Sequence, residues 1–238
     1  MMERVDNRSI VIAIDGPAGS GKSTLSRRLA KELGLSYLNT GSMYRAVARA
    51  ALDHGVDVDD GVGLAQLARE MSFDIDRSAF PPSLLVDGAS PEEELARADV
   101  EAVVSAVARH PELRSVLREE QRRLGAEGAV VEGRDIGTVV FPDAAVKVFL
   151  HADPAERAAR RRMERGDADR GLAEALARRD ALDARVNPFV PAPDASVVDT
   201  SGREADEVFR EVLALVRRAL NRREMEAGEQ ERPIEEGG

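Results

Sequence analysis

Short apolar runs alternate with longer amphipathic stretches along this chain. Ile10-Val11-Ile12-Ala13-Ile14, Ala129-Val130-Val131, Val146-Lys147-Val148-Phe149-Leu150 and Ser196-Val197-Val198 have the length and composition of parallel strands buried on both faces, and a weaker fifth candidate lies at 36–38. Helical spacing covers about 21–33, 41–54, 153–165, 171–185 and 203–221. In the first of these, Leu25, Leu29 and Leu33 recur at i, i+4 and i+8, and Gly34 supplies a stop. The alternation predicts an α/β fold with a doubly wound sheet, whose ligands bind beyond the carboxyl ends of the strands.

From about 60 to 124 the rhythm breaks. Phe73-Asp74-Ile75 and Leu84-Leu85-Val86-Asp87-Gly88, separated by Pro81-Pro82, predict a small β element. Val100, Val103, Val104 and Val107 then trace a helical stripe, and Pro111 opens another helix bearing Leu113, Val116, Leu117 and Leu124. The interval reads as an inserted subdomain in a single domain over 1–221. Residues 222–238 are charged and glycine-bearing without apolar period, which predicts disorder.

Chemistry enters at Gly16-Pro17-Ala18-Gly19-Ser20-Gly21-Lys22-Ser23, with Thr24 next to it, a fit to G-x-x-x-x-G-K-[S/T] that directly follows the first strand run and leads into the helical stretch at about 21–33. Glycines let backbone N–H groups curl around phosphate oxygens while the helix adds its positive N-terminal end. Lys22 is placed to reach the β- and γ-phosphates of a nucleoside triphosphate, and Ser23 to hold Mg²⁺. Of the 34 basic residues, 31 are arginine, because only Lys22, Lys31 and Lys147 are lysine (34 − 3). One of three lysines thus sits where a compact ammonium is wanted and a flat guanidinium is not.

Composition narrows the classes. A net charge of −10 argues against broad capture of nucleic acid or anionic membrane, while arginines inside a cleft still act at contact distance. The longest apolar stretches are too short to cross a bilayer, so no membrane association and a cytoplasmic location are expected. With no cysteine, disulfide scaffolds, Cys-based zinc sites and thiol catalysis are excluded, and His54, His110 and His151 show no metal-ligand spacing.

Two further glycine-bracketed clusters, Asn39-Thr40-Gly41-Ser42-Met43-Tyr44-Arg45 and Glu132-Gly133-Arg134-Asp135-Ile136-Gly137-Thr138, each place an arginine beside backbone that a ligand can approach. Arg157 and Arg161 stand one helical turn apart, as do Arg179 and Asp183. Two anionic ligands set head to head repel, and charge-assisted bonds of about 1.5–3 kcal/mol each make a handful of arginines enough to hold them. With Val139-Val140-Phe141-Pro142-Asp143-Ala144 and Arg179-Asp180-Ala181-Leu182-Asp183, these segments resemble the bacterial cytidylate kinases over about residues 9–220.

That resemblance implies a P-loop NTPase fold with a parallel five-stranded sheet flanked by helices, a monophosphate-binding insertion and a short lid at about 157–170. It implies an enzyme that moves the γ-phosphoryl of ATP to CMP or dCMP, with Mg²⁺, as a monomer. Arg45 and Arg134 would bind the acceptor phosphate, Thr40, Ser105, Arg114 and Asp135 would face the cytosine, Tyr44 would belong to the CMP site, and Arg179 and Asp183 would contact the ribose. Arg157 would lie by the adenine, and Arg161 would reach the transferring phosphoryl beside Lys22, Arg134 and Asp135. Glu132 stands where the family often has Asp, still able to order water around Mg²⁺. Arg185 sits one residue earlier than the family's phosphate-binding arginine.

An ionised acceptor phosphate needs no general base, which leaves Asp135 to base recognition. Two other readings are a shikimate-type alcohol kinase, with Asp135 near a hydroxyl, and a nucleotide-dependent adaptor that binds RNA through Arg160-Arg161-Arg162.

Overall fold

The computed structural model describes residues 10–90, 95, 97–165, 181 and 190–230. The expected helix at 171–185, with Arg179, Asp183 and Arg185, lies outside the described residues apart from Ala181, as do the far part of the expected lid and residues 231–238.

All five expected strands form: β1 (Val11–Asp15), β2 (Ser36–Asn39), β5 (Ala129–Gly133), β6 (Val146–His151) and β7 (Ser196–Asp199). They run parallel in the order β2-β5-β1-β6-β7. Strand periodicity explains the double burial. Val11, Ala13, Leu38, Ala129 and Val131 face one apolar cluster, while Ile12, Ile14, Tyr37, Val130 and Val148 face another. Ile12 and Ile14 have no solvent exposure, so truncating either to alanine costs about 2–5 kcal/mol.

The second face is covered by α1 (Lys22–Leu33) and α7 (Ala205–Gln230). The first carries α2 (Thr40–His54), α3 (Gly61–Glu70), α4 (Ala98–Ala108) and α5 (Pro111–Gly125). Helix α6 (Pro154–Arg165) follows β6. Gly34 ends α1 in the left-handed region at φ 66°, its N–H donating to Ala30 O.

Two expectations change. The hairpin β3 (Phe73–Asp76) and β4 (Ser83–Val86) is no separate element: β4 lies parallel to β2, with Tyr37 opposite Ser83, and the sheet has seven strands. The Tyr37 N–H donates to Pro82 O at 2.7 Å, so the insertion satisfies a backbone edge that β2 would otherwise leave open. The last helix also runs to Gln230 rather than stopping at 221, because Arg222, Arg223, Glu224, Met225, Glu226 and Ala227 are strong helix formers even without an apolar stripe.

Candidate active site

Beyond the carboxyl ends of β1, β2 and β5 lies one cavity of about 360 Å³. Its first wall is the glycine loop, lined by Ala18, Gly19, Gly21, Lys22, Ser23 and Thr24. Gly16 and Gly19 adopt φ of 145° and 75°. A side chain on Gly16 would collide with Leu150 O, and one on Gly19 would stand 2.8 Å from Arg157 O, so the loop closes only with glycine at both positions.

Two cations bind the loop's own carbonyls. Lys22 Nζ donates to Pro17 O at 2.7 Å, and Arg134 Nη1 to Gly16 O at 2.7 Å. Burial holds the Lys22 ammonium well below the usual lysine pKa; Arg134 pushes the same way, and Glu132 and Asp15 oppose. A bound polyphosphate would add negative charge beside this pair.

Behind the loop, Arg157 is buried and donates to Ala18 O at 3.1 Å and Ala152 O at 3.2 Å. It braces the loop without lining the cavity. Gly16, Pro17 and Ser20 likewise shape the loop without lining the cavity. The three consecutive arginines of α6 diverge. Arg160 donates to Thr200 Oγ1 at 2.9 Å, Thr200 in turn donates to Ser20 O, Arg161 lines the cavity, and Arg162 is exposed.

The opposite wall comes from the insertion and from the β2 and β5 ends. Thr40, Tyr44, Arg45, Ser105, Arg114 and Asp135 all line it. Thr40 Oγ1 donates to Glu132 O at 2.7 Å, joining the two strand ends, and Asn39 caps α2 through the Ser42 N–H. Arg45 Nε lies 3.3 Å from Glu101 of α4. Asp135 Oδ2 accepts from Arg114 at 2.7 Å and from Arg118 at 3.0 Å. Burial raises the Tyr44 phenol pKa, and Arg114, Asp135 and Arg118 surround it.

Four residues of this arrangement escaped sequence reasoning. Asp15, at the end of β1, accepts from the N–H groups of Ile136 and Gly137 at 2.8 Å each, pinning a π-helical turn (Ile136–Val140) just after Asp135. Burial lifts its carboxyl to about 6 against those two hydrogen bonds. Tyr37 donates to Glu132 Oε1 at 2.7 Å, and burial beside that carboxylate drives the phenol well above its usual range. Arg118 was signalled only by its i+4 spacing from Arg114. Gln121 also lines the cavity, and its polar head sits in an otherwise apolar helix stripe.

Among the described residues no cluster of three or more His, Cys, Asp or Glu could hold a metal ion by itself. The oxygen donors at the loop nevertheless suit Mg²⁺, which keeps most of its waters and takes few protein ligands. Glu132 is buried with Oε2 unpartnered, and Tyr37 links its other oxygen to the neighbourhood of Ser23. A hard cation with its water would satisfy that orphaned oxygen. No helix of the described residues is long and apolar enough to cross a membrane.

Comparison with known proteins shows the family. The family profile described as Cytidylate kinase matches residues 12–218. A cytidylate kinase of Pelotomaculum thermopropionicum is 45% identical over 216 residues, covering 86% of this chain and 95% of that protein. One of Roseiflexus castenholzii is 43% identical over 221 residues, covering 87% and 93%. Among solved structures, shikimate kinase from Acinetobacter baumannii in complex with shikimate aligns at a TM-score of 0.43 and 15% identity, over 88% of this chain and 94% of that one.

Proposed function

The chain belongs to the cytidylate kinase family and is an ATP-dependent phosphotransferase acting on CMP; from that premise we propose how its cavity performs the transfer and extend the acceptor to dCMP. The loop amides and Lys22 hold the β- and γ-phosphates, with the adenine towards Arg157. Arg45 and Arg134 receive the acceptor phosphate. Thr40, Tyr44, Ser105, Arg114 and Asp135 hold the base, and Arg179 and Asp183 the ribose.

Transfer of this kind needs positioning and charge neutralisation more than covalent help. The acceptor phosphate has a second pKa near about 6, so its attacking oxygen is ionised at neutral pH without a base. Arg134, bonded to Gly16 O at 2.7 Å, stands between the two phosphate positions and offsets their repulsion. Arg161 approaches from α6 and excludes water as the site closes. Ser23 and Glu132 would hold Mg²⁺, which when bound neutralises charge on the bridging phosphate oxygens. Tyr37 fixes the Glu132 carboxylate for that role.

One observation carries the reading: a single cavity is lined both by the phosphate loop with Lys22 and by Arg45, Arg114, Arg134 and Asp135. An uncharged acceptor alcohol would not require these extra cations. An ADP-formation assay with CMP, dCMP, UMP, AMP, GMP and shikimate tests it. CMP and dCMP are expected to give the highest kcat/KM; ADP formation driven by shikimate alone would contradict the assignment.

A further inference from the structure

Gln121 breaks the pattern of the helix that carries it. On α5, Leu113, Leu117, Gln121 and Leu124 follow at spacings of four, four and three, the register of a core stripe, and the three leucines are buried. Gln121 is as buried as they are, at 2% exposure, yet its amide nitrogen has no hydrogen-bond partner among the described residues. A leucine would fill this position without leaving two N–H groups unused, so the carboxamide is unfavourable for the fold alone. Polar residues that violate the pattern around them mark sites where a ligand completes the bonding.

The cavity reaches this side chain. Tyr44 is hydrogen-bonded to its side chain, Arg114, Asp135 and Arg118 act electrostatically on the same phenol, and Tyr44, Arg114 and Asp135 line the same cavity. A cytosine ring offers one amino donor and two neighbouring acceptors, the carbonyl O2 and the ring N3. Asp135 as a carboxylate only accepts, which suits the amino group. The unused amide hydrogens of Gln121 suit the acceptors.

We propose that Gln121 is a base-reading residue, whose Nε2 donates to the O2/N3 edge of the pyrimidine and thereby favours cytosine over uracil. Uracil carries a hydrogen on N3, which an amide donor opposes. The inference rests on the reading of this cavity as the CMP site and adds a specificity determinant to it.

Gln121→Leu and Gln121→Met test the proposal, the second keeping an unbranched side chain in case the first does not fold. The expected result is a KM for CMP raised roughly 10- to 100-fold, with kcat and the KM for ATP within about threefold. The ratio of kcat/KM for CMP over UMP falls. Folded variants with unchanged KM for CMP and unchanged CMP-to-UMP ratio would overturn it. So would a lowered melting temperature with the two substrates' KM values moving together, the behaviour of an amide that holds only the scaffold. A wild-type protein forming no CMP-dependent ADP would instead sink the underlying reading, and with it the proposal.

Discussion

On its proposed donor side the cavity is walled by one short piece of chain, Ala18, Gly19 and Gly21 to Thr24, whose grip is backbone geometry. On its proposed acceptor side Arg45, Ser105, Arg114 and Asp135 arrive from α2, α4, α5 and the turn after β5, and the grip is made by side chains. A backbone cradle fails when its glycines or its one lysine change. A side-chain pocket is distributed, so single changes weaken it by steps and depend on how the insertion packs. Asp15 and Arg134 tie the two sides together at β1 and β5.

The largest break falls on the donor end. Lys22→Ala should lower kcat by about 10³-fold or more while CMP affinity stays within about threefold, since the segment Gly16–Ser23 carries no second basic residue of its own. Steady-state kinetics with CMP calorimetry checks this; parallel loss of both ligands would show that the ends are not separable.

Next is the tie between them. Asp15 has its folded pKa raised from its usual value near 4 to about 6 by burial. Between those values the folded state keeps a proton that the unfolded chain has lost, so this group's contribution to stability declines as pH rises from about 4 to about 6. Asp15→Asn removes that dependence. The stability of wild type relative to this variant should therefore be greater at pH 4 than at pH 7, by up to about 3 kcal/mol, in urea unfolding. A difference that is flat with pH would mean that Asp15 is not held protonated by burial.

Smaller steps belong to the acceptor end. Arg45→Ala should raise the KM for CMP about 10- to 100-fold, the worth of one charge-assisted contact, with the KM for ATP unmoved. Arg118→Leu should raise it only about 3- to 10-fold, because Asp135 keeps Arg114 at 2.7 Å as a second holder. An Arg118 effect as large as that of Arg45 would place Arg118 against the substrate itself.

The same contrast explains what could be read from the chain. The glycine loop is legible because its requirements are local: fixed spacing, positive φ and a neighbouring strand and helix. The five parallel strands are legible where both faces are apolar, as in Ile10 to Ile14, and faint at 36–38, where Tyr37 turns its hydroxyl to Glu132. Asp15 read as no more than the residue before a glycine, because its partners stand 121 and 122 positions away. Arg118 and Gln121 looked like ordinary residues of an amphipathic helix until β5 and α2 were packed against α5. The pairing of β4 with β2 rests on a single register position, which no periodicity announces.

Calorimetry of Arg114→Ala with each nucleotide separately tests the central claim most directly, that one cavity holds two nucleotides through two independent sets of contacts. The account predicts that heat from CMP disappears or its Kd rises at least about tenfold, while the Kd for ATP stays within about threefold of wild type. Undiminished CMP binding, or ATP binding lost in step with it, would contradict the account.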